Sequence, residues 1–337
     1  MSRITIKDVA READVSISTV SHVINDTRFV DPVTKGHVQD ALKKLGYRPN
    51  NVARSLRSGV TQTIGLIVPD AANLFFAEIA RKIENYGFQQ GYSVILGNSD
   101  NNPAKEIQYI HTLLAKSVDG VIFISAGAEL RNFKQFADSN IPVVVADRVV
   151  PIELADVVLV DNEQGGYDAT RYLIELGHTH IGCITGPNDL SPSMQRFDGY
   201  KLALKEAGIP FRPERVVTGD FRVQGGSEAM DRLLQTPEKP SAVFVLNDMM
   251  AIGAMTSAHR AGLSIPADLS IIGFDDIELA SAVSPTLTTV AQPIDEMARY
   301  ATDLLIQRLN GHRKDENQRI ILKTALIKRN STARRKP

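Results

Sequence analysis

Apolar positions in residues 1–46 recur at helical spacing in three short blocks. In "IKDVAREA" the residues Ile6, Val9, Ala10 and Ala13 share one face, and Thr5 with Asp8 three positions on reads as a capping box. The second block, "VSISTVSHVIND", places Val15, Val20, Val23 and Ile24 on one side. Its other side carries Ser16, Ser18, Ser21 and His22, with Thr19 beside them, and Ser16 is the expected N-cap. The third runs from Asp31-Pro32 through "GHVQDALKKLG", with Val38, Leu42 and Leu45 apolar and Gly46 as the stop. Residues 47–63, "YRPNNVARSLRSGVTQT", are polar and read as a linker. Within them "NNVARSLRSG" has the ends of a helix of one or two turns, too short to persist alone.

From Thr63 the pattern changes to short continuous apolar runs alternating with amphipathic stretches. "TIGLIVPD", "SVILGNSD", "VIFISAG" and "PVVVADRV" read as strands. "LFFAEIARKIENYGFQQGY", "KEIQYIHTLLAKSVDG" and "RNFKQFADSNI" read as the helices between them. After "DVVLVDNEQGGYDATRYLIELGH" the alternation starts again, with strands "HIGCITG", "RVVTGDF", "AVFVLND" and "SIIGFDD". Strands apolar on both faces indicate parallel sheets covered by helices. Two such lobes are expected, with a ligand at the carboxyl ends of the strands.

The residues just after each strand are Asn73, Phe75 and Phe76; Asn98 and Asp100; Ser125; Asp147 and Arg148; Phe221; Asn247 and Asp248; Asp275 and Asp276. Arg196 lies near another strand end, and Gln292 sits in "TVAQP", a segment expected to cross between lobes. Carboxylates and amides accept from hydroxyls, arginine donates in a fork, and phenylalanine covers a C–H face. The set suits a polyhydroxylated ligand, although Asp and Asn here also serve as helix caps. Catalytic constellations are missing: there is no GxSxG, HExxH, GxxxxGK[ST] or GxGxxG after a strand. His178 and His180 form an HxH with no acidic or cysteine neighbour. No enzyme activity, metal or cofactor is expected.

The net charge of −1 hides an uneven distribution. Residues 1–60 hold ten Lys/Arg and six Asp/Glu, a basic head on a slightly acidic body, which points to a polyanion partner. Cys183 is the only cysteine, so no intrachain disulfide or cysteine cluster forms, and a reducing cytoplasm is the expected location. No apolar run is long enough to span a membrane and no secretory signal is visible at the start.

The head, "ITIKDVAREADVSISTVSHVIND" with "GYRPNNVARSLRSG", resembles the LacI/GalR family of bacterial transcription repressors. The resemblance runs to about residue 330 and implies an all-α helix-turn-helix head with a hinge helix. An α/β two-lobed, periplasmic-binding-protein-like core with parallel sheets then follows. The implied limits are 1–46 for the head and 47–60 for the hinge and linker. The core takes 61–330, lobe 1 being 61–160 with 292–330 and lobe 2 being 161–291; 331–337 is a basic tail, of which "ARRKP" is expected to be disordered. The second helix then enters the major groove. Ile17, Ser18 and His22 match base readers, with Ser16, Thr19, Ser21 and Asn25 nearer the phosphates and Thr5 in the same DNA-facing set. Leu56 matches a minor-groove wedge, with Asn51, Ala53, Arg54 and Arg57 along that groove. The implied partner is a pseudo-palindromic operator bound by a homodimer.

The core segments "NSDNNPAKE", "IPVVVADR", "VFVLNDMMAIGAM", "IIGFDD" and "TVAQP" are similar to ribose repressors and to the periplasmic ribose-binding protein. The resemblance carries ribose contacts onto Asn73, Phe75, Phe76, Asp147, Arg148, Arg196, Phe221, Asn247, Asp275 and Gln292. Ser125 stands where that pattern has asparagine, Leu74 where proline is usual, and "LSPSMQRFDGY" keeps only one arginine. The expected function is a repressor of a sugar-utilisation operon, with D-ribose the first choice of effector. The alternatives are a purine-responsive repressor, to which "SHVINDTRFV" is close, and a catabolite regulator with a phosphoprotein co-effector. A sugar-processing enzyme with an accessory head is disfavoured by the missing catalytic set.

Overall fold

The computed structural model describes residues 4–47, 59–124, 135–136, 138–312 and 316–335. The expected hinge residues Asn51, Ala53, Arg54, Leu56 and Arg57 lie outside the described residues, as do Ser125 and residues 131–134 of an expected lobe 1 helix. The chain divides into two compact units between Thr61 and Gln62.

The first unit contains α1 (Ile6–Glu12), α2 (Ile17–Asn25) and α3 (Pro32–Leu45). Each begins where a side chain occupies an unsatisfied helix-end group. Thr5 donates to Asp8 Oδ2 from its N–H at 2.9 Å and its hydroxyl at 2.7 Å. Ser16 Oγ accepts from Thr19 N–H at 3.0 Å, and Asp31 Oδ1 from Thr34 N–H at 2.9 Å. Gly46 ends α3 at φ +60°, a conformation only glycine adopts without strain. Val9, Val20 and Val38 are fully buried, with Val23 and the small Ala10, Ala13 and Ala41 between the helices. Val15, Ile24, Leu42 and Leu45 pack around this centre half-buried.

The second unit begins with β1 (Thr63–Val68), α4 (Leu74–Gln89), β2 (Ser93–Asn98), α5 (Pro103–Ala115), β3 (Gly120–Phe123), β4 (Val143–Ala146) and β5 (Asp156–Val160). It continues with α6 (Asn162–Glu175), β6 (Ile181–Thr185), α7 (Ser191–Glu206), β7 (Val216–Thr218), α8 (Val223–Leu233), β8 (Ala242–Val245) and α9 (Asp248–Arg260). β9 (Ser270–Asp275), α10 (Glu278–Ala282), β10 (Thr288–Ala291), α11 (Ile294–Leu309), β11 (Arg319–Leu322) and β12 (Ala325–Ile327) complete it. Two sheets result, β11-β5-β4-β3-β1-β2 and β12-β10-β9-β8-β6-β7, parallel except where β12 runs against β10. Strand order reverses at β1/β3 and at β6/β8, which opens a crevice at the carboxyl end of each sheet. The central strands are buried on both faces, as their uninterrupted apolar runs require.

The chain passes between lobes where β5 leads to α6, where β10 leads to α11, and where β11 leads to β12. That third passage corrects the expected lobe boundary: residues after 324 belong to lobe 2, not lobe 1. β11 and β12 follow the last helix with no further strand–helix alternation and are largely exposed or half-buried, so sequence reasoning did not mark them.

The disorder expected of "ARRKP" is also corrected for its described residues, 333–335. Ser331 is fully buried, and its carbonyl accepts from Ile271 N–H at 2.9 Å. Ala333 N–H donates to Ser270 Oγ at 3.1 Å, and Arg335 N–H to the Leu176 carbonyl at 2.9 Å. A basic composition alone does not reveal these backbone partners. His178 is buried against this tail, Nδ1 near Ser241 Oγ at 2.9 Å and Nε2 near the Ala333 carbonyl at 3.1 Å, so this histidine of the HxH serves packing. Burial pushes the Cys183 thiol up, away from reactivity. No helix among the described residues is long and apolar enough to cross a membrane.

Candidate DNA-reading face and effector cleft

On α2 the buried Val20 and Val23 turn the opposite face outward. Ile17, on that outward face, is 44% exposed. Ser18 and His22 are one helical turn apart, as are Ile17 and Ser21, so these side chains form one patch. Several expected DNA contacts also hold the fold. Ser16 is the N-cap and lies 2.7 Å from Ser18 Oγ and 2.8 Å from Thr19 Oγ1. Thr5 caps α1. Asn25 Nδ2 donates to the Ser21 carbonyl at 2.8 Å. His22 Nδ1 lies 2.9 Å from Thr27 Oγ1, which orients the ring and leaves Nε2 for a partner.

The core's cleft lies between the two sets of strand ends. It is lined by Asn73, Phe75, Phe76, Asp147, Arg148, Arg196, Phe221, Asn247, Asp275 and Gln292, the described members of the expected set, all brought together. Pro192, at the start of α7, also lines it; its only sequence signal is the "SPS" helix opening. The side chains leave about 20 Å³ between them, about the space of one water, so anything larger enters only if the lobes part.

Each residue is placed by an element end. Asn73 caps α4, its Oδ1 accepting from Phe75 N–H at 3.0 Å, which sets Phe75 and Phe76 edge to face with centroids 5.1 Å apart. Asn247 caps α9 through Met250 N–H at 2.9 Å and donates to the Phe221 carbonyl at 3.1 Å. Asp147, Phe221 and Asp275 leave their strands at φ +67°, +65° and +117°. Such strained backbone clusters where a ligand is gripped.

Arg196 is 4% exposed and lies 3.7 Å from the Phe274 ring centroid. Its Nη1 donates to the Leu246 carbonyl at 2.7 Å and to Asp275 Oδ1 at 3.3 Å, where Gln292 Nε2 also donates at 2.7 Å. Both donors land on Oδ1 rather than Oδ2. Arg148 pairs with Asp147 in the same way on lobe 1. Asp147 Oδ1, Arg148 Nε and Gln292 Oε1 are buried with no hydrogen-bond partner among the described residues. Such atoms are costly unless something polar meets them.

The remaining described strand-end residues have partners within the fold. Asp248 is fully buried and accepts from Thr289 Oγ1 at 2.6 Å and Ile277 N–H at 3.0 Å. Asn98 accepts from Ala71 N–H at 3.1 Å, and Asp276 pairs with Arg329 at 2.6 Å. Asp100 pairs with Lys105 at 2.5 Å on the wall of a second cavity, about 370 Å³, beyond Phe221. Asp189, Asp220 and Arg222 share that wall, and Arg222 bridges the lobes to Asp70 Oδ2 at 3.1 Å.

Burial pushes the Asp275 carboxyl up to about 7, with Arg196 and the Gln292 bond pulling the other way. Burial also lowers Arg196, and it raises Asp248 well above the carboxylate range with Asp275 adding to it. The folded value of Asp275 lies above its ordinary 3.8, so between these pH values the folded chain keeps a proton the unfolded chain releases. Stability from this group is therefore full below about pH 4 and is lost as pH rises to 7. Melting temperatures at pH 5 and pH 8 are expected to differ less in Asp275→Asn than in the wild type.

Fold and cleft together define a class: a two-lobed ligand-binding core carrying a helix-turn-helix head. Residues 5–50 match the bacterial regulatory proteins of the lacI family, and residues 170–332 the periplasmic binding protein-like domain. The chain is 41% identical to the ribose operon repressor of Escherichia coli K12, over 97% of this chain and 99% of that one. It is 42% identical to the HTH-type transcriptional repressor PurR of Vibrio atlanticus, over 94% of each chain. Catabolite control protein A of Priestia megaterium is 41% identical, over 93% of this chain and 95% of that one. Among solved structures, a Lac repressor dimer bound to operator and the anti-inducer ONPF superposes with TM-score 0.87 at 29% identity, covering 98% of this chain and 100% of that one. A LacI-family regulator from Enterococcus faecium with bound ribose gives 0.74 at 33%, covering 81% of this chain and 100% of that one. The chain belongs to the lacI family and is a DNA-binding transcriptional repressor.

Proposed function

We propose that this repressor is a cytoplasmic homodimer that controls a sugar-utilisation operon and answers to a small unphosphorylated sugar, D-ribose first. The observation that carries this reading is the cleft itself. Two Arg–Asp pairs, three amides and three phenylalanines surround it, and three buried polar atoms lack partners among the described residues. Hydroxyls donate to the carboxylates and accept from the guanidinium forks, while the Phe75 and Phe76 rings cover the C–H face. The cations around the cleft are matched by carboxylates, Arg148 by Asp147, Arg196 by Asp275 and Arg222 by Asp70. The adjoining cavity adds Asp189 and Asp220. That balance favours a neutral ligand over a sugar phosphate. Relatives named for ribose, purines and catabolite control are nearly equal in identity, so identity does not choose among effectors.

In this reading a pseudo-palindromic operator meets two copies of α2, and sugar closure of the lobes shifts the dimer and releases the hinge from DNA. Reciprocal coupling then requires operator DNA to weaken sugar binding by the same factor. Calorimetry of the full-length chain against pentoses, hexoses and hypoxanthine tests the effector. D-ribose is expected to give heat; heat from hypoxanthine with none from ribose would overturn the sugar assignment. Sugar hydroxyls favour the ionised Asp275, so affinity is expected to fall as pH drops below about 7, approaching tenfold per unit.

The two ligands should also differ in salt dependence. Raising salt from about 50 to 200 mM is expected to weaken operator binding by about a thousandfold if some six phosphates are contacted. The isotherm for an uncharged sugar should move far less, and parallel titrations check this.

A further inference from the structure

We propose that Asn162 is a positioning residue that ties the effector-contacting side chains to the points where the chain passes between lobes. This rests on the cleft being the effector site and concerns how that site is wired to its hinge. Asn162 is 4% exposed and is the first residue of α6, one residue past the point where β5 leaves lobe 1. Its Nδ2 donates to the Val160 carbonyl at 3.2 Å, the last residue of β5. Its Oδ1 accepts from Arg196 Nε at 2.8 Å. Arg196 Nη1 then donates to Asp275 Oδ1, which also accepts from Gln292 Nε2 at 2.7 Å. Gln292 lies in the second passage, between β10 and α11. The third passage joins through Asp161 N–H, which donates to the Leu322 carbonyl at 2.9 Å. Buried hydrogen bonds therefore run from one passage to another through Arg196 and Asp275.

Asn162 and Arg196 cannot drift apart, because α6 and α7 touch backbone to backbone. A Cβ on Gly166 would stand 2.1 Å from the Arg196 carbonyl oxygen, and one on Gly199 2.1 Å from the Glu163 carbonyl oxygen. An asparagine is required for both jobs: the oxygen holds the guanidinium and the amide holds the strand end. With Asn162, Arg196, Asp275 and Gln292 each 3 to 6% exposed, water cannot replace a lost member. A sugar that draws on Arg196 or Asp275 therefore loads both passages at once.

The test uses the full-length chain as wild type, Asn162→Ala and Asn162→Asp. Amide hydrogen exchange without any sugar comes first. Asn162→Ala is expected to speed exchange at residues 160–163 and also at 291–294, about tenfold, with the central strands as in wild type. Faster exchange at 160–163 alone, or a uniform rise over lobe 2, would overturn the relay. Titration with D-ribose follows. Asn162→Ala is expected to weaken binding about tenfold. Asn162→Asp keeps an oxygen for Arg196 Nε but loses the donor to Val160. It is expected to restore ribose binding to within a few-fold while exchange at 160–163 stays fast. Equal loss of ribose binding in both variants counts against the divided role. If wild type itself takes up no D-ribose, the sugar assignment fails, while the exchange comparison still decides the role of Asn162.

Discussion

Arg196→Ala is expected to weaken effector binding by at least about 100-fold, while operator affinity without effector stays near wild type. The guanidinium is buried, stacked on Phe274, and bonded to Asn162, the Leu246 carbonyl and Asp275. Removing one member of a buried charged pair costs about 3–5 kcal/mol, because the other charge is left alone. Asp275 would respond by moving further toward its neutral form, since the Arg196 charge is the largest influence opposing burial there. Part of the loss therefore appears as lower stability, and a melting curve at pH 5 separates it from lost binding. Arg196→Lys should not rescue, because a single ammonium cannot serve three acceptors in one plane or stack on Phe274. An unchanged sugar isotherm in Arg196→Ala would place the effector elsewhere.

The second large effect belongs to the head. His22→Ala is expected to lower affinity for the specific operator by about 1–3 kcal/mol, roughly ten- to a hundredfold, the range for losing one base contact. Binding to unrelated DNA at the same salt should change little, because phosphate attraction supplies that term. The Thr27 contact fixes the imidazole through Nδ1, so alanine removes an oriented group rather than a mobile one. Sugar binding should be untouched. Competition against unrelated DNA at constant salt measures the ratio; equal loss on both DNAs would make His22 a phosphate contact instead.

Much of this protein is written locally. Thr5–Asp8, Ser16, Asp31-Pro32 and Gly46 mark helix ends by side-chain chemistry that acts within a few residues, and all act there as expected. The ten described cleft residues were legible because strand ends and the family resemblance pointed to the same positions. What escaped had no local signature. β12 has no buried apolar run of its own, and the course of residues 331–335 depends on partners more than 40 residues away. Pro192 looked like an ordinary helix opening and Asn162 like any polar residue before a helix.

The sequence by itself determined the helical head, the two parallel-sheet lobes and the chemistry at the strand ends. Periodicity, capping and burial on both faces are short-range consequences of residue order. Tertiary structure alone decided which strand-end groups face the cleft and which serve the fold. Asp275 and Asp248 look equivalent in sequence. One lines the cleft, held by Arg196 and Gln292, while the other is closed in by Thr289 and the Ile277 N–H. The physical reason is that hydrogen-bond satisfaction inside a low-dielectric core depends on groups far apart in the chain, and only the packed lobes bring them within hydrogen-bonding reach.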